Sequence, residues 1–244
     1  MLPFAFVRLR SELELAGADL SDADFRGVDF SGLNLEHTRF HRCLLSGARF
    51  SECRLAYAEF ISAVADTATF GSADAPRLRA TDADFRGTDW THAQLESAVL
   101  DRANFEGADL SHAALKEVSA PNASFKEAKF DESKLTRAVC DGASFVGAEF
   151  TDADVSYFSC RNGNLEEVDF EECYGEFADF YGARLKESTF RESDFSVTDF
   201  CLADFSDSDF ETTDFRFADF RGANLDDVTA WFCDFTGAQF WGPP

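Results

Sequence analysis

Ala18-Asp19-Leu20-Ser21-Asp22-Ala23-Asp24-Phe25-Arg26-Gly27 holds two copies of one five-residue unit: a small residue, a short acid, a large apolar residue and two turn formers. The large residue returns at every fifth position from Leu15 to Phe240. Of the 46 positions in that phase, 37 are Phe, Leu or Trp, and 23 of the chain's 29 Phe lie there. On an α-helix, five residues turn through about 500°, so such residues mark no face. In a straight strand, odd spacing alternates them between faces. The small residue two positions earlier resolves the conflict. Small and large side chains two apart point the same way from an extended segment, and the next two residues turn the chain. Each unit is then one side of a coil, and stacked coils bury both side chains as internal ladders, the logic of a solenoid.

Ala18-Asp19-Leu20-Ser21-Asp22, Ala103-Asn104-Phe105-Glu106-Gly107 and Ala223-Asn224-Leu225-Asp226-Asp227 carry a family resemblance. Over Leu13 to Phe240 the chain resembles the pentapeptide repeat proteins. The resemblance implies an all-β fold, a right-handed quadrilateral parallel β-helix of about 11 coils at four units per turn. The expected organisation is an N-terminal cap over 1–12, one repeat domain over 13–240 and an end cap over 241–244.

Composition narrows the function classes. The 244 residues carry 22 Lys and Arg against 46 Asp and Glu, a formal charge of −24. No apolar run approaches the ~18 residues of a membrane span, and the Met1–Arg8 stretch does not read as a secretory signal. A cytoplasmic protein with no membrane contact is expected. Six of the seven Cys sit in the two inward phases and read as small hydrophobes; Cys201 falls in an outward phase. No close Cys pairs suggest a metal or disulfide framework. The four His, His37, His41, His92 and His112, sit in turn-forming phases. With no phosphate loop, nucleophile elbow or HExxH motif, neither an enzyme nor a cofactor is expected.

Three irregularities interrupt the units. Ala75 and Ala80 occupy large-residue positions in a stretch that includes Asp74, Pro76, Arg77 and Arg79. This reads as a surface loop over 71–80; the alternative is two degenerate units kept in the coil with Pro76 at a corner. At Phe158 and Cys160 the large and small phases are exchanged. Gly175 empties a core position, which Phe177 is expected to fill. At the other end, Trp231, Phe232, Phe240 and Trp241 read as an end cap or as the centre of an end-to-end homodimer. Gyrase-interacting members of the family usually finish in a short dimerising helix, and this chain has no amphipathic segment there.

The acidity is uneven. Residues 1–150 have 16 basic and 24 acidic side chains; residues 151–244 have 6 and 22. Within the latter, the residue before the core Phe is Asp six times running, at Asp194, Asp199, Asp204, Asp209, Asp214 and Asp219, joined by Asp179, Asp207 and Glu211. A surface of that kind attracts the basic groove of a DNA-binding enzyme and repels nucleic acid itself. Short acids before the core residue also belong to the repeat, where they bond local backbone at the corners. The resemblance implies a DNA mimic that binds DNA gyrase or topoisomerase IV, with these carboxylates as the mimic face and 71–80 as the contacting loop. The alternative is a protein-interaction scaffold with no topoisomerase partner.

Overall fold

The computed structural model describes residues 14–242, so the N-terminal segment read as a cap, and Pro243 and Pro244, lie outside the described residues. Across those residues, parallel bridges join positions 20 apart, from Asp19↔Arg39 through to Asp219↔Gln239. Twenty residues are four units, so each turn of the solenoid has four sides. Where pairing is most extended it forms five strands: β1 (Glu149–Thr151), β2 (Asp169–Glu171), β3 (Thr189–Arg191), β4 (Asp209–Glu211) and β5 (Thr229–Trp231). They make one parallel sheet in the order β1-β2-β3-β4-β5, each paired in register with the strand one turn on.

The outward residue of each unit defines a face. In chain order the first face carries Asp19, Arg39 and Glu59, the second Asp24 and Leu44, the third Asp29 and Arg49, and the fourth Asn34 and Arg54. The third face becomes the β1–β5 sheet. Between faces, two residues make a corner. The small residue after them donates its N–H to the preceding core carbonyl, as Ala18 does to Leu15 at 2.9 Å, closing a β-turn. The second corner residue sits at positive φ throughout, whether Gly17 (73°) or Asp22 (61°). That conformation favours Gly, Asn and Asp, yet Tyr157, Phe177 and Val197 adopt it too.

Inside, the large side chains stack at the spacing of the turns. Phe50 lies over Phe30 at 4.9 Å and Phe70 over Phe50 at 4.8 Å, both nearly parallel. Polar members of the small phase satisfy carbonyls one turn below: Thr38 Oγ1 donates to Leu15 O (2.7 Å) and Ser208 Oγ to Leu185 O (2.7 Å). Beside the β1–β5 sheet the same device uses Cys173 Sγ to Phe150 O (2.8 Å) and Thr213 Oγ1 to Phe190 O (2.9 Å). These buried polar groups thereby keep partners, whereas Ser133 Oγ in the same phase has none.

The expected loop at 71–80 is corrected. Asp74 bridges Arg54 and Gln94, and Arg79 bridges Glu59 and Val99, so the coil is unbroken. Ala75 and Ala80 are fully buried, and Leu78, also fully buried, supplies volume from the small phase that both lack. Pro76 occupies the first corner position, whose N–H takes no part in the backbone ladder outside the strands, so the missing donor costs no bond. Volume is exchanged in the same way at Phe158 and Cys160, both wholly buried.

Two further expectations are revised. Phe177 does not fill the space at Gly175; it is half exposed at a corner, stacked on Tyr157 at 5.0 Å. The ring over Gly175 is Phe195 from the next turn, so close that a Cβ on Gly175 would meet Phe195 Cδ1 at 2.3 Å. Cys201 is buried rather than outward, because it sits between Asp199 and Asp219 on successive turns. Burial first, then hydrogen bonding to Asp219 and Asp199, pushes its thiol up to about 12. None of the seven Cys forms a disulfide; Cys160 Sγ lies 3.5 Å from Cys140 O.

Candidate acidic interface

Because the units wind around four sides, the run from Asp194 to Asp219 does not form one face. Asp194 and Asp214 lie on the fourth face, Asp199 and Asp219 with Asp179 on the first, Asp204 on the second and Asp209 on the third. Five of the six also serve the fold. Asp194, Asp199, Asp204, Asp214 and Asp219 each accept the backbone N–H two residues on, at 2.8 to 3.1 Å, and each is half-buried. Arg216 holds Asp214 and Arg221 holds Asp219, both at 2.6 Å, and Arg161 holds Asp179 at 2.6 Å. The Arg221 side chain, bonded to Asp219, keeps that carboxyl below its ordinary value. The girdle expected to be the interface is largely corner chemistry.

The structure concentrates the acid elsewhere. The corner between the third and fourth faces carries Glu132, Asp152, Glu172 and Glu192 on four successive turns, all exposed. The corner between the second and third carries Glu167, Glu187, Asp207 and Asp227, again on four successive turns and exposed. Between these two ridges lies the β1–β5 sheet, whose outward row adds Glu149, Asp169 and Asp209. Glu166, Glu171, Glu211 and Asp226 lie at its edges. From Glu149 to Trp231 the sheet and its two corners hold 14 acidic side chains against two basic ones, Lys186 and Arg191. Of the 22 acidic residues in 151–244, 13 are here.

Electrostatics follow from the stacking. Like charges one turn apart destabilise each other's ionised form. Glu172 is the clearest case: Asp152 first, then Glu192 among the other carboxylates, raises its carboxyl above 4.5. The cations are drawn inward by several acids. Lys186 Nζ lies 2.9 Å from Glu187 and 3.6 Å from Asp207. Arg191 Nη2 lies 3.4 Å from Asp169. Of the residues expected to form the mimic face, Asp207, Asp209 and Glu211 belong to this surface. The Glu and Asp corner ladders escaped a reading at period five; they emerge when the corner phase is read at period 20.

Two of the expected contact residues at 71–80 engage the preceding turn. Arg79 pairs with Glu59 at 3.3 Å, and Arg77 lies over the Tyr57 ring with its guanidinium 5.5 Å from the centroid, donating to the Tyr57 hydroxyl. Asp74 stands outward on the fourth face. At the far end Phe240 stacks on Phe220 at 5.3 Å, whereas Trp231, Phe232 and Trp241 stand 65, 88 and 90% exposed. Trp241 therefore does not cover the last core ring. Among the described residues no group of His, Cys, Asp and Glu has the arrangement of a metal site, and no helix is long and apolar enough to cross a membrane. His112 pairs with Glu132 at 3.3 Å and stacks on His92, and His41 contacts Glu59 at 2.5 Å.

The sequence profile of pentapeptide repeats matches in eight copies over residues 11–42, 81–116, 123–156, 159–191, 178–216 and 203–242, more than half of the chain. The chain belongs to the pentapeptide repeat family, and its fold is that family's parallel β-solenoid. Among solved structures it is similar to HetL, a pentapeptide repeat protein involved in heterocyst differentiation regulation from the cyanobacterium Nostoc sp. Strain PCC 7120. The identity there is 21% over 86% of this chain and 90% of HetL, with a TM-score of 0.40. It is also similar to full-length QnrB1, a plasmid-mediated fluoroquinolone resistance protein, at 18% identity over 89% of this chain and 94% of QnrB1, with a TM-score of 0.35. Rfr23 from the cyanobacterium Cyanothece 51142 matches at 16% identity over 54% of this chain and 90% of its own, with a TM-score of 0.31. No curated protein sequence matches the chain.

Proposed function

We infer that this pentapeptide-repeat scaffold is a DNA mimic whose partner is a bacterial type II topoisomerase, DNA gyrase or topoisomerase IV. The observation that carries the reading is the charge density of the β1–β5 sheet and its two corner ladders. Five turns at ~4.8 Å span four steps, or ~19 Å, and carry 14 acidic and two basic side chains, a net −12. Duplex DNA of that length presents about 11 phosphate charges, at one per ~1.7 Å. One side of the rod therefore matches both strands of a duplex, with its carboxylates in two parallel ridges. A basic saddle built for DNA would be drawn to it, and nucleic acid itself repelled. Seven thiols outside any disulfide fit a reducing, cytoplasmic setting. The exposed Trp231, Phe232 and Trp241, with half-buried Phe240, are the surface through which two copies would meet, which sedimentation equilibrium measures.

The deciding experiment is a gyrase supercoiling assay with the protein titrated in, with and without a quinolone. Supercoiling is expected to be inhibited or protected from the drug, and capture of the enzyme to weaken as salt rises. Glu172→Gln, Glu187→Gln, Glu192→Gln and Asp207→Asn in one chain should abolish the effect. Persistence of the effect in that variant would remove the mimic reading, and no effect from the unaltered protein would leave a scaffold with another partner.

A further inference from the structure

The corner between the fourth and first faces belongs to neither edge of the acidic sheet, and its chemistry is the opposite. On successive turns it carries Tyr157, Phe177, Val197 and Phe217, exposed by 48, 45, 43 and 60%. Tyr174, 61% exposed on the adjoining fourth face, widens it. Each corner residue sits at a φ of 58 to 60°, a conformation in which bulky and β-branched side chains are out of place. Stacking explains part of the ridge: Phe177 lies on Tyr157, Arg137 covers the far side of Tyr157 at 5.0 Å, and Phe217 leans over Gly237. It does not explain why four consecutive turns place apolar groups in water where the same corner position elsewhere is Gly or polar, apart from Tyr57, Leu202 and Phe232. With aromatic side chains of ~150–250 Å² each, the exposed apolar surface is on the order of 500 Å², the size of the largest, often functional, patches on a monomer.

Carboxylates run along both flanks: Asp194, Asp214 and Asp234 on the fourth face, Asp179, Asp199 and Asp219 on the first. Arg cations hold Asp179, Asp214 and Asp219, whereas no ion pair among the described residues holds Asp194 or Asp199. The complement is an apolar row bordered by cations. Spacing selects its form. An α-helix presents one apolar residue per turn at ~5.4 Å, within about 0.6 Å of the ~4.8 Å step of the ridge. Same-side residues of a strand, ~6.8 Å apart, fall out of step at once. A second copy of this chain would set Asp rows against Asp rows at −24 each, over less than the ~800 Å² per partner of a stable interface.

We propose that this corner docks a basic amphipathic helix of another protein, its apolar residues seated along Tyr157, Phe177, Val197 and Phe217 and its Lys or Arg reaching Asp194 and Asp199. The proposal is independent of the topoisomerase reading, which uses the other side of the rod.

The probe is a fluorescein-labelled 15-residue Leu/Lys peptide with Leu at helical spacing, against a control in which every Leu is Ser. Fluorescence anisotropy should give at least tenfold tighter binding of the Leu peptide. Phe177→Asn with Phe217→Asn, which suit positive φ and leave the fold intact, should weaken that binding at least tenfold, while Glu172→Gln with Glu192→Gln should leave it within twofold. Equal binding of the two peptides, or unchanged binding by the Phe177/Phe217 variant, would overturn the proposal. So would loss of binding in the Glu172/Glu192 variant. Val197→Asn is the second ridge variant and must weaken binding in the same direction.

Discussion

Replacing Gly175 by Ala tests whether the core is packed tightly enough to feel a single methyl group. The backbone there is outside the left-handed region, so Ala is conformationally allowed, and it stabilises by about 0.4–1 kcal/mol through the unfolded chain where there is room. Here there is none: the new Cβ would stand 2.3 Å from two atoms of the Phe195 ring. Normal carbon contacts begin near ~3.5 Å, so the ring must retreat by roughly 1.2 Å. Phe195 is fully buried, with Phe190 at 4.9 Å and Phe170 at 5.2 Å against it, so it cannot retreat freely. Overpacking of that kind costs about 2–3 kcal/mol. Phe195→Leu alone opens a cavity at about 1–2 kcal/mol. The two changes relieve each other, so the double variant should be less destabilised than the sum by about 1–2 kcal/mol. Urea unfolding followed by circular dichroism measures all three. Gly71→Ala is the control: its nearest neighbours lie at 3.5 Å, an ordinary contact, and its stability should be unchanged or slightly raised. Strict additivity of Gly175→Ala and Phe195→Leu would refute the packing argument.

Stability should depend on pH in two opposing ways. Hydrogen bonds from Ser21 to Asp19 and from Arg26 to Asp24 lower both carboxyls from 3.8 to about 2, a contribution fully present above 3.8 and lost as pH falls through the folded value. Glu172 runs the other way, raised by Asp152, so lowering pH from 7 through its folded value removes repulsion. The melting temperature should therefore rise modestly as pH falls from 7 toward 4.5 and fall below about pH 3.8; a monotonic fall from pH 7 would contradict the corner-ladder electrostatics. Glu172→Gln should raise the neutral-pH melting temperature slightly, an effect that shrinks in 0.5 M salt, with Screening as the cause. Thiol titration of the native protein at pH 8 should find at most about one of seven Cys reactive, half-buried Cys233, since burial pushes Cys173 and Cys201 up to about 12. Rapid reaction of several thiols without denaturant would be inconsistent with the buried ladder.

The core was legible because its signal is local: Leu15, Phe30, Phe50 and their successors need only a period of five. Faces were not, because they depend on a period of 20 that a run such as Asp194 to Asp219 conceals. Five-residue spacing sends those carboxylates around the rod, and the residues they bond, such as Ser196 and Arg216, follow two positions later. The corner phase held the better signal, in Glu132, Asp152, Glu172 and Glu192 at one-turn spacing. Ala75, Ala80 and Gly175 misled for a different reason. Each empties its own position, and the volume returns from Leu78 or from the ring one turn away, a substitution that only three-dimensional packing reveals.

The four-sided turn has a consequence for how such a chain can change length. Removing or adding one five-residue unit keeps every Phe and Leu pointing inward, so the rod still folds. Everything beyond the edit, however, rotates by a quarter turn. A deletion between β2 and β3 would bring Asp194 and Asp214 into line with Asp169 and carry the later acidic corners to another side. Only edits of 20 residues conserve the surface. The pentad is thus the quantum of folding, while the surface presented to a partner is inherited in fours.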